Sequence, residues 1–179
     1  MARISHADVC DFDEAAYASI SKSVEENSKL VDDVVASIVV DYSQGLDDVM
    51  SAAREALNNK NQLTDQEIEY FILTIPLQLY YSSSAQEAVG IREDVAKMIR
   101  QRLYIEARQS ASGTVEDKNT AAEKQVTQET LTAAAYTRAS RMLKSKNETA
   151  LEVLSAFKKV ISRRMEEYQL SRFGGSGSE

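Results

Sequence analysis

The residues of this sequence whose types and spacing best suit ligand binding are lysines and arginines close to an aromatic residue. Lys97, Arg100 and Arg102 lie on one expected helix, and Tyr104 follows them. Cations bind nucleic-acid phosphates, and an aromatic ring stacks on unpaired bases. A solvated basic helix with its tyrosine in the core is the alternative. Because Arg100 and Arg102 are about 200° apart on an ideal helix, they need not face one ligand.

A second basic segment contains Lys158, Lys159, Arg163 and Arg164. We expect it to form a second nucleic-acid surface. The alternative is pairing with carboxylates three or four residues away on the same helix, as in the flanks of a coiled coil. Further cations precede this segment, namely Arg138, Arg141, Lys144 and Lys146.

Charge is distributed unevenly along the chain. Residues 1–90 contain 5 basic and 16 acidic residues, a net charge of −11, and residues 91–179 contain 16 and 12, a net charge of +4, which together give −7. A positive half attracts polyanions and a negative half repels them. The sequence therefore favours a nucleic-acid surface in the second half.

Catalytic and metal-binding patterns are scarce. The chain has one histidine and one cysteine, and it has neither a P-loop nor a dinucleotide-binding motif. His6, Asp8, Cys10, Asp11 and Asp13 could hold a metal ion, but a disordered acidic end explains them better, since no rigid element orients them. We therefore expect no metal, no cofactor and no enzymatic activity.

The first half of the chain has helical spacing of its apolar residues. The pattern predicts a helix over residues 12–42, a break at Gly45 and a short helix over 46–57. Thr64 and Glu67 then form a capping box that opens the next helix.

The second half has the same spacing, with several expected interruptions. Pro76 is expected to kink or split its helix, and Gly90 is a further candidate break. Residues 110–114 form the clearest loop. The longest helical stretch, residues 115–172, is expected to break near Asn147 if it breaks at all.

A heptad seam runs along this long helix. We expect it to form an oligomerisation surface, unless another helix of the same chain covers it. The predicted interface residues are Leu143, Ala150, Leu154, Phe157, Ile161 and Tyr168.

The predicted fold is all-α: helical hairpins or a bundle with a long C-terminal helix or helix pair, in an oligomer. We divide the chain into an acidic helical region (1–63), a basic helical core domain (64–173) and a flexible tail (174–179). No apolar run approaches the length of about 20 residues that spans a bilayer, and the first ten residues lack a signal-peptide core. No membrane partner and a cytoplasmic location are therefore expected.

Residues 67–172 resemble the recombination mediator (UvsY-like) family of phages. A tyrosine-rich helix, a basic helix, a Ser/Gly loop and a long helix ending in Ser-Arg follow one another in this order. The segments that carry the resemblance are Leu79-Tyr80-Tyr81-Ser82, Met98-Ile99-Arg100-Gln101-Arg102-Leu103, Gly113-Thr114-Val115-Glu116-Asp117-Lys118 and Lys158-Lys159-Val160-Ile161-Ser162-Arg163.

The resemblance implies a non-enzymatic homo-oligomer, ring-like in the family, that binds single-stranded DNA in the host cytoplasm. Arg100-Gln101-Arg102-Leu103 is similar to the family's strand-binding segment. Such a protein loads a recombinase onto DNA coated with single-strand-binding protein. The residues alone leave two alternatives open: a helical oligomeric scaffold that contacts only proteins, and an acidic inhibitor that mimics DNA.

Overall fold

A computed structural model describes residues 14–58 and 63–174 of the chain. These residues form four helices and no strand, which confirms the all-α prediction. The helices are α1 (Glu14–Asn58), α2 (Asp65–Ser110), α3 (Val115–Gln125) and α4 (Thr127–Gly174). No helix among these is long and apolar enough to span a bilayer.

Helices α2 and α4 form an antiparallel pair. Arg164 near the end of α4 donates to Asp65 at the start of α2, and Arg100 late in α2 donates to Thr130 early in α4. Helix α1 lies against both, antiparallel to α2 and parallel to α4, and α3 packs on the last turns of α2. The three long helices therefore form an elongated bundle, about 70 Å in length at 1.5 Å per residue.

Two clusters of apolar side chains form the core. The first is centred on Phe71 and Phe157, whose rings stack with centroids 5.0 Å apart and planes 16° from parallel. The second is centred on Val39, Val89 and Leu143. Each cluster takes side chains from both sides of residue 63. The acidic region and the basic region therefore share one core. The boundary between them marks a change in net charge, and the side chains of the two regions pack together across it.

The heptad seam of α4 is covered within the chain. Leu143, Ala150, Leu154 and Phe157 are buried against α1 and α2. This corrects the expectation that these four residues form an interface between copies, because α1 and α2 already cover their apolar surface. Two seam residues differ: Ile161 is half-buried beside the first cluster, and Tyr168 is 65% exposed.

Helix α1 continues through Gly45, so the expected break there was wrong. A Cβ atom at Gly45 would lie 2.6 Å from Oε1 of Gln78 on α2. The glycine therefore serves a close approach of two helices and does not end one. Helix α2 is likewise not split at Pro76, since the buried residues on either side of the proline, Ile75 and Leu79, belong to the same core cluster.

The long C-terminal stretch divides at Val126, whose φ of −100° and ψ of 21° separate α3 from α4, and not at Asn147. Asn147 is buried inside α4, and its Nδ2 donates to Oε1 of Gln86 on α2 at 2.9 Å. The expected loop is confirmed: residues 111–114 join α2 to α3, and Gly113 adopts a φ of +112°.

Candidate nucleic-acid interface

Two of the predicted α2 cations are balanced by carboxylates of the same helix. Lys97 Nζ lies 2.5 Å from Oε1 of Glu93, and Arg102 Nε lies 3.0 Å from Oε1 of Glu106. The hydrogen bond from Lys97 lowers the pKa of Glu93, against the opposing effect of partial burial. The hydroxyl of Thr137 on α4 also donates to this carboxylate, at 2.9 Å. Lys97 therefore belongs to a small polar network between α2 and α4.

Arg100 joins three helices. Its Nε donates to Oγ1 of Thr130 at 2.7 Å, and its Nη2 donates to Oε2 of Glu123 on α3 at 3.1 Å. Tyr104, one turn further along α2, is half-buried, and its hydroxyl donates to Oδ1 of Asn119 on α3 at 3.3 Å. Both side chains hold α3 against α2, so the aromatic ring is not presented as an open stacking platform.

The four predicted α2 residues thus do not converge on one surface. Arg100 and Tyr104 face α3, Lys97 faces the α4 side, and Arg102 points outward with its side chain 77% exposed. Of the three cations, Arg102 has the most exposed side chain, although its Nε is paired with Glu106.

The C-terminal candidates are more open. Lys158 and Lys159 are exposed, and within residues 14–58 and 63–174 no carboxylate lies within ion-pair distance of either. Arg163 is also exposed and pairs with Glu167 at 2.9 Å. We call Lys158, Lys159 and Arg163 the C-terminal cationic segment.

Arg164 has a structural role. Its Nη1 donates to Oδ1 of Asp65 at 2.6 Å, and its Nη2 donates to the backbone carbonyl of Leu63 at 2.8 Å. Both partners lie at the beginning of α2. Arg164 therefore holds the start of α2 on α4 and is not part of the cationic segment.

The two predicted surfaces lie at opposite ends of the bundle. Arg100 contacts Thr130, and Lys158 lies 28 residues further along the same helix. At 1.5 Å per residue this separation is about 42 Å. A short stretch of nucleic acid bound at one of these surfaces therefore does not reach the other.

Charge is segregated between helices. Helix α1 has 3 basic and 9 acidic residues, a net charge of −6, whereas α4 has 9 and 5, a net charge of +4. Asp32 pairs with Arg138 at 3.4 Å, and Asp47 accepts two hydrogen bonds from Lys146. Helix α1 therefore neutralises the cations of α4 that face it. Among the described residues it does not pair with the cationic segment, in which Arg163 pairs with Glu167 of the same helix.

A groove of about 360 Å³ opens between α2 and α4, near the second core cluster. Ile91, Val95 and Ile99 supply its apolar wall, and Tyr136 lies on the α4 side. Oε2 of Glu129 is buried in this region without a hydrogen-bond partner. The described residues contain no group of three metal-ligating side chains, and the N-terminal cluster of His6 and its neighbours lies outside them.

Sequence reasoning missed an exposed apolar surface on α2. We call it the α2 outer face, and its members are Tyr70, Leu73, Leu77, Tyr80, Ile91, Val95, Met98 and Ile105. A signal for it was present in the sequence. Positions 70, 77, 91, 98 and 105 are all apolar at multiples of seven residues.

Comparisons with protein-family models, curated proteins and solved structures found no match to this chain. The resemblance to the UvsY-like family therefore stays a prediction.

Proposed function

We propose that this protein is a non-enzymatic accessory protein that binds single-stranded DNA through the C-terminal cationic segment of α4. The observation that supports this best is the exposure of Lys158 and Lys159 without an ion-pair partner in the described part of the chain, on the helix with net charge +4. Free ammonium groups release counterions when they bind phosphates, and this release drives binding.

The expected DNA contact lies on α4 and not on α2. The α2 cations Lys97, Arg100 and Arg102 already have carboxylate partners, and a phosphate would have to displace them. By the resemblance to the mediator family, the bound strand is a substrate of recombination or replication. The protein partners would then be a recombinase and a single-strand-binding protein, and the protein itself would act without chemistry.

The test is a salt titration of a fluorescent oligo-dT, followed by anisotropy. Lys158→Ala/Lys159→Ala should weaken binding and reduce the salt slope by about 0.7 for each phosphate that is no longer bound. Lys22→Ala/Lys29→Ala is the matched control, because it removes the same charge from exposed positions of α1. Equal affinity and slope for both double variants would show that the segment is not the binding site.

Arg100 is unsuitable for this test, because its removal breaks the hydrogen bonds to Thr130 and Glu123 that hold α3 and α4 in place. Arg102→Ala is the better probe of α2. We expect it to leave the affinity for oligo-dT unchanged, since Arg102 is paired with Glu106 and lies at the opposite end of the bundle from the cationic segment.

A scaffold protein that contacts only proteins is the second candidate, and the α2 outer face favours it. A surface of eight exposed apolar side chains is typical of protein–protein contact. If the unmodified chain fails to bind oligo-dT even at low salt, the scaffold function replaces the DNA-binding one.

A further inference from the structure

The α2 outer face is an apolar stripe turned away from the core, and two of its members, Ile91 and Val95, also line the groove beside α4. Its eight side chains are 43–71% exposed. On an ideal helix they fall within a sector of about 100°. At about 150 Å² or more for each side chain, the stripe presents about 700 Å² of apolar surface. Soluble monomers rarely leave a continuous apolar patch above a few hundred Å² uncovered.

The charges along α2 are polarised in the direction of the helix. Residues 65–90 contain four acidic residues and no basic residue. Residues 91–108 contain five basic and three acidic residues. The outer face therefore lies on an acidic half of the helix, net charge −4, which holds Tyr70, Leu73, Leu77 and Tyr80, and on a basic half, net charge +2, which holds Ile91, Val95, Met98 and Ile105. Of the cations in the basic half, Arg102 points outward, whereas Lys97 and Arg100 are turned toward α4 and α3.

The centre of the face has small side chains. Ser84 and Ala88 are exposed between the two apolar halves, and Glu87 is exposed at the edge of the face beside them. Helix axes approach most closely where the side chains at the contact are small. The crossing point of a second helix would therefore fall near residues 84–88.

We propose that a second copy of this chain packs on the α2 outer face, with the two α2 helices antiparallel and a two-fold axis near Ala88. In this orientation the acidic half of each helix lies against the basic half of the other. A parallel pairing would oppose like charges and is disfavoured. The same patch serves both copies, as two-fold symmetry requires.

The size of the face fits this occupant. A stable interface buries about 800 Å² on each partner, and the stripe with its polar rim reaches that area. The interface goes beyond the proposed DNA contact, because it uses α2 and leaves the cationic segment of α4 free. In the antiparallel dimer the two cationic segments lie at opposite ends, so a strand long enough to reach both gains avidity without any additional type of interaction.

The first test is the mass of the full chain in solution, by light scattering over a concentration series. The unmodified protein should have twice the 19.9 kDa monomer mass at tens of micromolar. Tyr80→Ala/Met98→Ala should weaken the dimer by about 100-fold or more, with the helical signal and the melting temperature of the monomer retained, since both residues are exposed. Tyr168→Ala/Leu170→Ala removes comparable exposed side chains from α4 and should leave the dimer intact.

The second test establishes the orientation. In a Cys10→Ser background, Tyr70→Cys and Ile105→Cys variants are mixed and treated with a short bismaleimide. Antiparallel packing links one variant to the other, whereas parallel packing links each variant to itself.

A monomeric unmodified chain at 100 micromolar, a dimer that survives Tyr80→Ala/Met98→Ala, or self-linking of Tyr70→Cys each overturns the proposal. All of these measurements are made on the protein without DNA. Failure here is therefore distinct from failure of the oligo-dT titration.

Discussion

Phe157 is the position at which an intramolecular core and an intermolecular seam give opposite expectations. The ring is fully buried and stacks on Phe71 in the first core cluster. Truncation of a buried phenylalanine to alanine costs about 3–5 kcal/mol, from the transfer free energy of the ring and the cavity that remains. For a chain of this length each kcal/mol corresponds to about 2–4 °C, so Phe157→Ala should lower the melting temperature by about 6–20 °C.

The assay is urea unfolding followed by circular dichroism, with the mass measured in parallel. Leu151→Ala on the same helix is the control, since Leu151 is 54% exposed and its truncation should change the unfolding free energy by no more than about 0.5 kcal/mol. If Phe157→Ala costs less than about 1 kcal/mol but dissociates an oligomer, the ring lies between copies and the intramolecular packing is refuted.

Two further predictions concern helix interiors and ends. Gly90→Ala should raise the unfolding free energy by about 0.5–1 kcal/mol, because a Cβ atom there meets nothing within 4 Å. Gly45→Ala should raise the unfolding free energy by less, because the Gln78 side chain must move to make room for the Cβ atom. Urea titrations of both variants check this order. Thr64→Ala should lower the melting temperature at pH 7, and this effect should shrink in melts well below pH 4.5. The reason is that two hydrogen bonds lower the pKa of Glu67, the larger effect coming from the Thr64 backbone N–H and the smaller from its hydroxyl. The substitution removes the hydroxyl's part, which is present above the ordinary pKa of 4.5 and disappears as the pH falls through the lowered pKa. The bond that the hydroxyl accepts from the Glu67 backbone N–H is also lost, but its contribution does not depend on this carboxylate. An equal decrease at both pH values would contradict this role of the carboxylate.

Local chemistry was readable from the sequence, and tertiary contacts were not. The capping box of Thr64 and the loop before α3 depend on side chains a few residues apart, so both were predicted correctly. Gly45 and Asn147 have the local chemistry of helix ends, yet both lie inside helices, because their partners Gln78 and Gln86 are on another helix.

The candidate site shows the same limit. The pattern of cations was visible, but which of them were already paired was not. Arg164 was grouped with its basic neighbours because Asp65, its partner, lies 99 residues away in sequence. Arg164 lies on the side of α4 that faces α2, whereas Lys158 and Lys159 lie on its exposed sides. This difference is visible only once α2 is packed on α4.

The nested antiparallel contacts of α2 with α3 and α4 have a consequence for the order of folding. They begin near the turn around Gly113, where Tyr104 and Asn119 are 15 residues apart, continue with Arg100 and Glu123, 23 residues apart, and end with Arg164 and Asp65, 99 residues apart. Each contact that forms shortens the loop that the next one must close, so the hairpin can zip outward from its turn at little entropic cost for each step. Gly113, with its positive φ, then lies at the nucleus, and Gly113→Ala should slow folding more than it accelerates unfolding.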